Sequence, residues 1–310
     1  MPELPDITVY VERAQERLQG QVLRRLRLLN PFVLRTAEPP IANAEGLQVV
    51  GVERLGKRVV LALQGDGGDA AAMGAGAGAQ KLWLVIHLMI AGRLRWLVPG
   101  GTSAKLPGRI SLAALDFDAG TLLLTEAGTQ RRAALHCVGS REALVALDAG
   151  GLDIFSIDSA TFNARLRSEN HTLKRALTDP RLFSGIGNAY SDEILHRARL
   201  SPLALSANLP EADTLRLFEA ARGVLLEWTA RLRAQAPQWP DKVTAFHAEM
   251  AVHGRYGQPC PVCSSPVQRI VYASNESNYC ARCQTGGKLL ADRALSRLLK
   301  ASWPKSIDDL

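Results

Sequence analysis

Four cysteines carry the strongest chemical signal in this chain. Cys260-Pro-Val-Cys263 is followed, after sixteen residues, by Cys280-Ala-Arg-Cys283. Two knuckles at this separation suit a tetrahedral Zn2+ held by four thiolates. All four positions are then filled, leaving none for a catalytic water, so the expected metal is one structural Zn2+. It would hold a small β-hairpin that has no core of its own. The remaining cysteine, Cys137, reads as a small buried side chain.

A different chemistry is offered by the first residues, MPELPD. A small residue at position two allows the initiator methionine to be removed. Pro2 would then carry a free secondary amine able to attack an aldehyde, with the Glu3 carboxylate beside it. A third candidate is Phe183-Ser-Gly-Ile-Gly-Asn188-Ala-Tyr190, in which Gly-x-Gly-Asn opens a helix. Such a turn can clamp a phosphate with backbone N–H groups, or it can be a tight helix–helix turn with Asn188 as the N-cap. Lys174 precedes it, and Glu193, His196, Arg197 and Arg199 follow. Two weaker candidates are Gly56-Lys57-Arg58, at the head of an apolar strand, and His253-Gly-Arg255-Tyr-Gly257, just before the first knuckle.

These residues need elements to hold them. Residues 5–19 read as a helix, with Ile7, Val11, Ala14 and Leu18 on one face and Gly20 placed to stop it. From 21 to 137 the runs QVLRRLRLL, LQVVGVERLGKRVVLALQ, KLWLVIHLMI, GRLRWLV, RISLAALDF and GTLLLTE are short and strand-like. They suggest a sandwich or barrel. A glycine- and alanine-rich run at 65–79 joins two of them and is assigned no chemistry. Helices are expected at 141–149, 158–167, 171–178, 189–199 and 210–234, then a looser, proline-containing stretch at 235–245. Strand-like VQRIVYA lies between the knuckles, and 288–300 forms a basic amphipathic helix docked by its apolar face. The fold class expected is α+β and multidomain. The divisions are an N-terminal helix with a β-sandwich at 1–140, a helical domain at 141–245, a zinc hairpin at 246–287 and a basic tail at 288–310.

The chain has 310 residues, a net charge of +7 and a pI near 9.4, which favours polyanions such as nucleic acid or an anionic membrane. No apolar run has the length of a membrane span and no signal-peptide pattern opens the chain, so a cytoplasmic location is expected.

Together the motifs closely resemble those of the formamidopyrimidine-DNA glycosylase and endonuclease VIII family of base-excision-repair enzymes. The resemblance is carried by PELPD at the start, GKR at 56–58, HLMIAGRL at 87–94, GIGNAYSDEIL at 185–195, HGRYGQPC at 253–260 and the four cysteines. They occur in the family's order over nearly the whole chain. The resemblance implies a helix–two-turns–helix domain for the helical part and DNA lying between the two halves. It implies that Pro2, after loss of Met1, attacks C1′ of a damaged or abasic nucleotide, that Glu3 is the general acid/base, and that Lys57 assists. It implies phosphate contacts from His87, Lys174, Asn188 and Arg255, with Arg109 and Arg132 as further DNA-binding candidates. The implied partner is double-stranded DNA with an oxidised base or abasic site, bound by a monomer with no membrane association.

Three departures from the family pattern stand out. Asn275 occupies the place, five residues before the third cysteine, where the family usually has an arginine, which leaves β- and β,δ-elimination both open. Thr129-Gln-Arg-Arg132-Ala133 replaces a loop that ends in an aromatic wedge. Ile90 stands for a methionine wedge and Asp6 for a glutamate. The alternative readings are a non-catalytic binder of damaged DNA and an RNA-binding zinc protein; the latter leaves the N-terminus unexplained.

Overall fold

In a computed structural model, the chain is described for residues 1–65, 80–99, 108–128, 130–272 and 275–309. The glycine- and alanine-rich run from 66 onwards and Thr129 lie outside the described residues.

The N-terminal helix, α1 (Leu4–Leu18), starts where Glu3 and Asp6 form a reciprocal capping box with Pro5 in the first turn. Its apolar stripe of Ile7, Tyr10, Ala14 and Leu18 is fully buried. The stripe packs into a sandwich built from β1 (Arg25–Leu28), β2 (Gln48–Leu55), β3 (Arg58–Gln64), β4 (Lys81–His87), β5 (Gly92–Leu97), β6 (Ser111–Phe117), β7 (Gly120–Glu126) and β8 (Ala134–Val138). One antiparallel sheet has the order β2-β3-β4-β8 and the other β1-β6-β7-β5. Alternation decides what each face carries. Val59, Leu61, Leu84, Ile86, Leu135 and Cys137 point into the shared core. Val60, Val85 and Val138 point out, under Leu144 of α2 (Arg141–Val145). Cys137 is buried as read from sequence, and burial pushes its thiol up to about 11. Strand β8 was not among the runs singled out in the sequence.

The chain divides into two compact units, residues 1–149 with 229–243, and 150–228 with 244–310. Residues 229–243, counted with the helical region in the sequence, thus pack with the sandwich, and Trp239 is the reason. Its ring is buried in the sandwich core and its Nε1 donates to the Leu94 carbonyl at 3.0 Å. Arg13 Nε donates to the Ala236 carbonyl at 3.0 Å and Arg93 Nε to the Val243 carbonyl at 2.8 Å, fastening both ends of this strap.

The second unit contains α3 (Ser159–Arg167), α4 (Leu173–Thr178), α5 (Asn188–Arg197) and the start of α6 (Glu211–Gln235), which continues into the first unit from Thr229. Asp158 caps α3, accepting from the Thr161 amide at 2.8 Å. Phe162 stacks on Phe183, with ring centroids 4.7 Å apart, at the centre of these helices. A two-stranded hairpin, β9 (Gln268–Tyr272) and β10 (Asn275–Tyr279), then leads into α7 (Ala281–Thr285). The polar sequence NESNY gave no strand signal; it pairs because β9 offers the partner edge. The tail docks through Leu289, Leu290 and Ile307 against Ile270 and Tyr279, whereas Leu298 of α8 (Arg293–Leu299) is 77% exposed. No helix of the described residues is long and apolar enough to cross a membrane.

Candidate functional site

In the first unit the chemistry gathers at the head of α1. Pro2 is buried, and Glu3 and Asp6 are only 3% and 4% exposed. The Glu3 amide donates to Asp6 Oδ2 at 2.8 Å. Burial holds the N-terminal ammonium of Met1 below its usual value; Glu3 opposes this, while Arg93 and Lys57 add to it. The amine terminus therefore lies within electrostatic reach of two nearby carboxylates, Glu3 and Asp6, and of two cations, Lys57 and Arg93, that the sequence places far from it. Lys57 is delivered by a two-residue hairpin loop, Gly56–Lys57, closed by the Leu55–Arg58 pair, with Gly56 at φ +61°. A glycine at the first loop position meets that positive φ without strain. Asp6 is pushed up to about 7 by burial, against the hydrogen bond from the Glu3 amide and with the Glu3 charge adding to the rise. A cavity of about 300 Å3 opens beside Asp6, walled by Val9, Leu232, Trp239 and Val243.

Strand register places the next group. Arg58 pairs with His87, and His87 pairs with Ala134, so a row crosses the end of one sheet on its outer face. Burial, then Arg58, Lys57 and His136, hold His87 down to about 4, so it is a neutral hydrogen-bonding imidazole at pH 7 rather than a cation. Arg58 keeps a buried Nε without a hydrogen-bond partner. Arg109 and Arg132 are exposed in the same unit, and Arg131 Nη2 donates to the Arg109 carbonyl at 2.6 Å.

In the second unit two residues expected to contact phosphate also make contacts within the protein. Gly187, not Asn188, is the N-cap of α5, and Asn188 Nδ2 donates to the Glu276 carbonyl of β10 at 2.7 Å. Lys174 Nζ donates to the Asn188 carbonyl at 2.7 Å and to Asp192 Oδ1 at 2.5 Å. Without DNA, Lys174 and Asn188 thus tie the helices to the hairpin, and both remain partly exposed. The hub they serve, Asp192, was missed in the sequence. It is fully buried and also accepts from His253 Nδ1 at 2.8 Å, Ser277 Oγ at 3.0 Å and the Asn278 amide at 3.1 Å. Its neighbour Glu193 accepts from the amides of Ala251, Val252 and His253. Their adjacency on the buried face of an otherwise amphipathic helix was the signal available. Arg255 Nη1 donates to the Met250 carbonyl at 2.9 Å, while its Nε is buried without a partner.

The four cysteines come together as read. Their sulfurs all lie within 4.8 Å of one another, with Cys260–Cys283 at 3.9 Å and Cys263–Cys280 at 3.4 Å. Tetrahedral Zn–S bonds of about 2.3 Å require sulfurs roughly 3.8 Å apart, so the set fits Zn2+. His196 of α5 adds a contact that the sequence did not suggest, with Nε2 3.3 Å from Cys260 Sγ. Burial, followed by Arg197 and Arg199, holds His196 down to about 4, so its ring is neutral and one nitrogen carries a proton.

The first unit thus gathers a chain start, two carboxylates and two cations, and the second holds helices and a four-thiolate hairpin that fits Zn2+. Comparison with known proteins gives the family. The profile of the formamidopyrimidine-DNA glycosylase N-terminal domain matches residues 1–134, that of the formamidopyrimidine-DNA glycosylase H2TH domain residues 153–232, and that of the zinc finger found in FPG and IleRS residues 257–286. A formamidopyrimidine-DNA glycosylase of Thermus thermophilus is 33% identical over 294 residues, covering 93% of this chain and all of the relative. The chain belongs to the formamidopyrimidine-DNA glycosylase family. The crystal structure of the MutM (Fpg) protein from the same organism superimposes with a TM-score of 0.72 at 32% identity, covering 91% of this chain and 98% of that one. A Lactococcus lactis Fpg solved with abasic-site DNA shares the fold, with a TM-score of 0.75 at 20% identity over 91% of this chain and 99% of its own. A Mycobacterium tuberculosis protein described as an uncharacterized formamidopyrimidine-DNA glycosylase-like protein is 41% identical over 155 residues, half of this chain and 95% of that one.

The departures noted in the sequence have structural counterparts. Ala133 is 2% exposed in the sandwich core, so this position offers no outward aromatic. Ile90 is 61% exposed on the turn after β4. Asn275 opens β10.

Proposed function

We propose that this protein is a base-excision-repair DNA glycosylase with abasic-site lyase activity that uses the Pro2 amine, freed by loss of Met1, as its nucleophile. The observation that carries the reading is the buried chain start, where an ammonium is already held below its usual value beside Glu3, Lys57 and Arg93. The same burial and cations would favour a neutral, attacking Pro2 amine. Its lone pair forms a bond to C1′, and the damaged base leaves with the electrons of the glycosidic bond and takes up a proton. The bonded nitrogen gives up its proton, and opening of the sugar ring, with a proton delivered to O4′, then gives an iminium. Loss of the C2′ proton then feeds electrons into the iminium and expels the 3′ phosphate. In this reading Glu3 moves these protons, and Lys57 supplies positive charge near the phosphates. One Zn2+ on the four cysteines holds the hairpin. Double-stranded DNA with an oxidised base or an abasic site is the partner, engaged by a monomer.

Borohydride trapping on a duplex with one abasic site tests this. Wild type is expected to form a covalent adduct that Pro2→Gly does not form, and Glu3→Gln is expected to turn over far more slowly. Tight binding without an adduct in wild type would refute the lyase and favour a damage-binding protein.

A further inference from the structure

Phe32 is the most exposed large apolar side chain of the described residues, at 81%. Its platform is rigid. Pro31–Val33 forms a single 3-10 turn, Asn30 Oδ1 accepts from the Phe32 amide at 3.1 Å, and Val33 is buried in the sandwich core at 2% exposure. On one side, the amides of Leu29 and Asn30 both donate to the Leu112 carbonyl. On the other, the Arg35 amide donates to the Leu135 carbonyl at 2.9 Å. A single exposed apolar side chain is common on protein surfaces, and this one adds nothing to the core, so its surroundings must carry the reading.

The surroundings say what it meets. Arg35, Arg109, Arg131 and Arg132 are all exposed, and none has an ion-pair partner among the described residues. Asn30 and Pro31 share with Arg109 and Arg131 a shallow groove of about 430 Å3. Leu34 bridges in parallel to Leu135 of β8, which brings the turn carrying Phe32 to the edge of the sheet that holds Ala134, His87 and Arg58. At roughly 4.8 Å per strand, the row from Arg58 to Ala134 spans about 10 Å and the bridged Leu34 segment lies about 5 Å beyond it, so one duplex can touch both this edge and the Lys57 loop. The positive field is continuous along it, because His136 feels Arg58 and Arg35, and His87 feels Arg58, Lys57 and His136. An aromatic ring standing among unpaired arginines is the composition that meets nucleic acid: cations on phosphates, ring on bases.

We propose that Phe32 is an aromatic wedge that enters the base stack of the bound duplex, while Arg35, Arg109, Arg131 and Arg132 hold the flanking phosphates. It rests on the DNA-binding reading above. An apolar side chain between two base steps partly unstacks and kinks the duplex, which suits an enzyme that must take a nucleotide out of the stack. Phe32 supplies on this turn the outward aromatic that the buried Ala133 lacks.

The test compares wild type, Phe32→Ala, Phe32→Trp and Arg131→Ala on a duplex carrying 2-aminopurine beside one abasic site. Binding is read by anisotropy across a salt series and unstacking by 2-aminopurine fluorescence. Phe32→Ala is expected to bind roughly 5- to 150-fold more weakly and to lose most of the fluorescence rise, with an unchanged dependence on salt. Phe32→Trp should keep both signals. Arg131→Ala should instead reduce the salt slope by about one. Phe32→Ala with wild-type affinity and fluorescence overturns the wedge. Wild type that fails to bind the duplex at all overturns the DNA-binding reading and the wedge with it.

Discussion

Replacing Asp6 by asparagine should change how the stability of this protein depends on pH, in a direction fixed by the buried head of α1. Asp6 is 4% exposed, and its carboxyl is pushed from 3.8 to about 7 by burial. A raised acid binds its proton more tightly in the folded chain. Its contribution is therefore fully present below pH 3.8 and is lost as pH rises to about 7. A shift of roughly three units at 1.36 kcal/mol each amounts to about 4 kcal/mol. The asparagine of Asp6→Asn would keep an oxygen to accept from the Glu3 amide but has no charge to bury. The variant should thus gain on wild type by about 4 kcal/mol between pH 4 and pH 8, or about half that if the site admits water. His87 and His196 work the other way: each is depressed from 6.5 to about 4, so their contribution is present above pH 6.5 and lost as pH falls to about 4. Both proteins carry those histidines, so the difference between the two urea-unfolding series isolates Asp6. A difference that varies by less than about 1 kcal/mol over this range would refute the assignment of a neutral buried Asp6.

Two further outcomes concern the second unit. Asp192→Asn should destabilise by roughly 3–5 kcal/mol in thermal or urea unfolding, because it strands the Lys174 ammonium beside a neutral amide, and adding Lys174→Met should recover most of the loss. His196→Phe should make Zn2+ roughly 10- to 100-fold easier to strip with a chromophoric chelator, because it removes the N–H that faces the Cys260 sulfur; His196→Gln, which keeps a donor, should behave like wild type.

Much of the candidate site was legible from local spacing. Two CxxC knuckles sixteen residues apart brought four sulfurs within 4.8 Å, since a hairpin returns its ends to one place. Alternation foretold the sandwich strands, and GTLLLTE at 120–126 forms β7 over its full length. Strand β10 was invisible because NESNY is polar, and its pairing is decided by its neighbour. Lys174 and Asn188 were found as chemically notable, but their protein partners were not, because the sequence does not show what lies opposite a side chain. A carboxylate buried 18 residues away turned the lysine inward.

The sequence by itself determined which groups exist: a proline at position two, a glutamate beside it, four cysteine sulfurs and an excess of cations. Residue type and short-range spacing suffice for these, because a helix turn or hairpin fixes them within a few residues. Only the tertiary structure decided which of them meet. It carried Lys57 and Arg93 to the chain start, drew the Trp239 strap into the sandwich core and made Asp192 the hub of the hairpin. It also left Phe32 standing in water among arginines. Those outcomes depend on burial and register between segments tens to hundreds of residues apart, where the cost of an unpaired polar group or an unfilled core is settled by the whole fold.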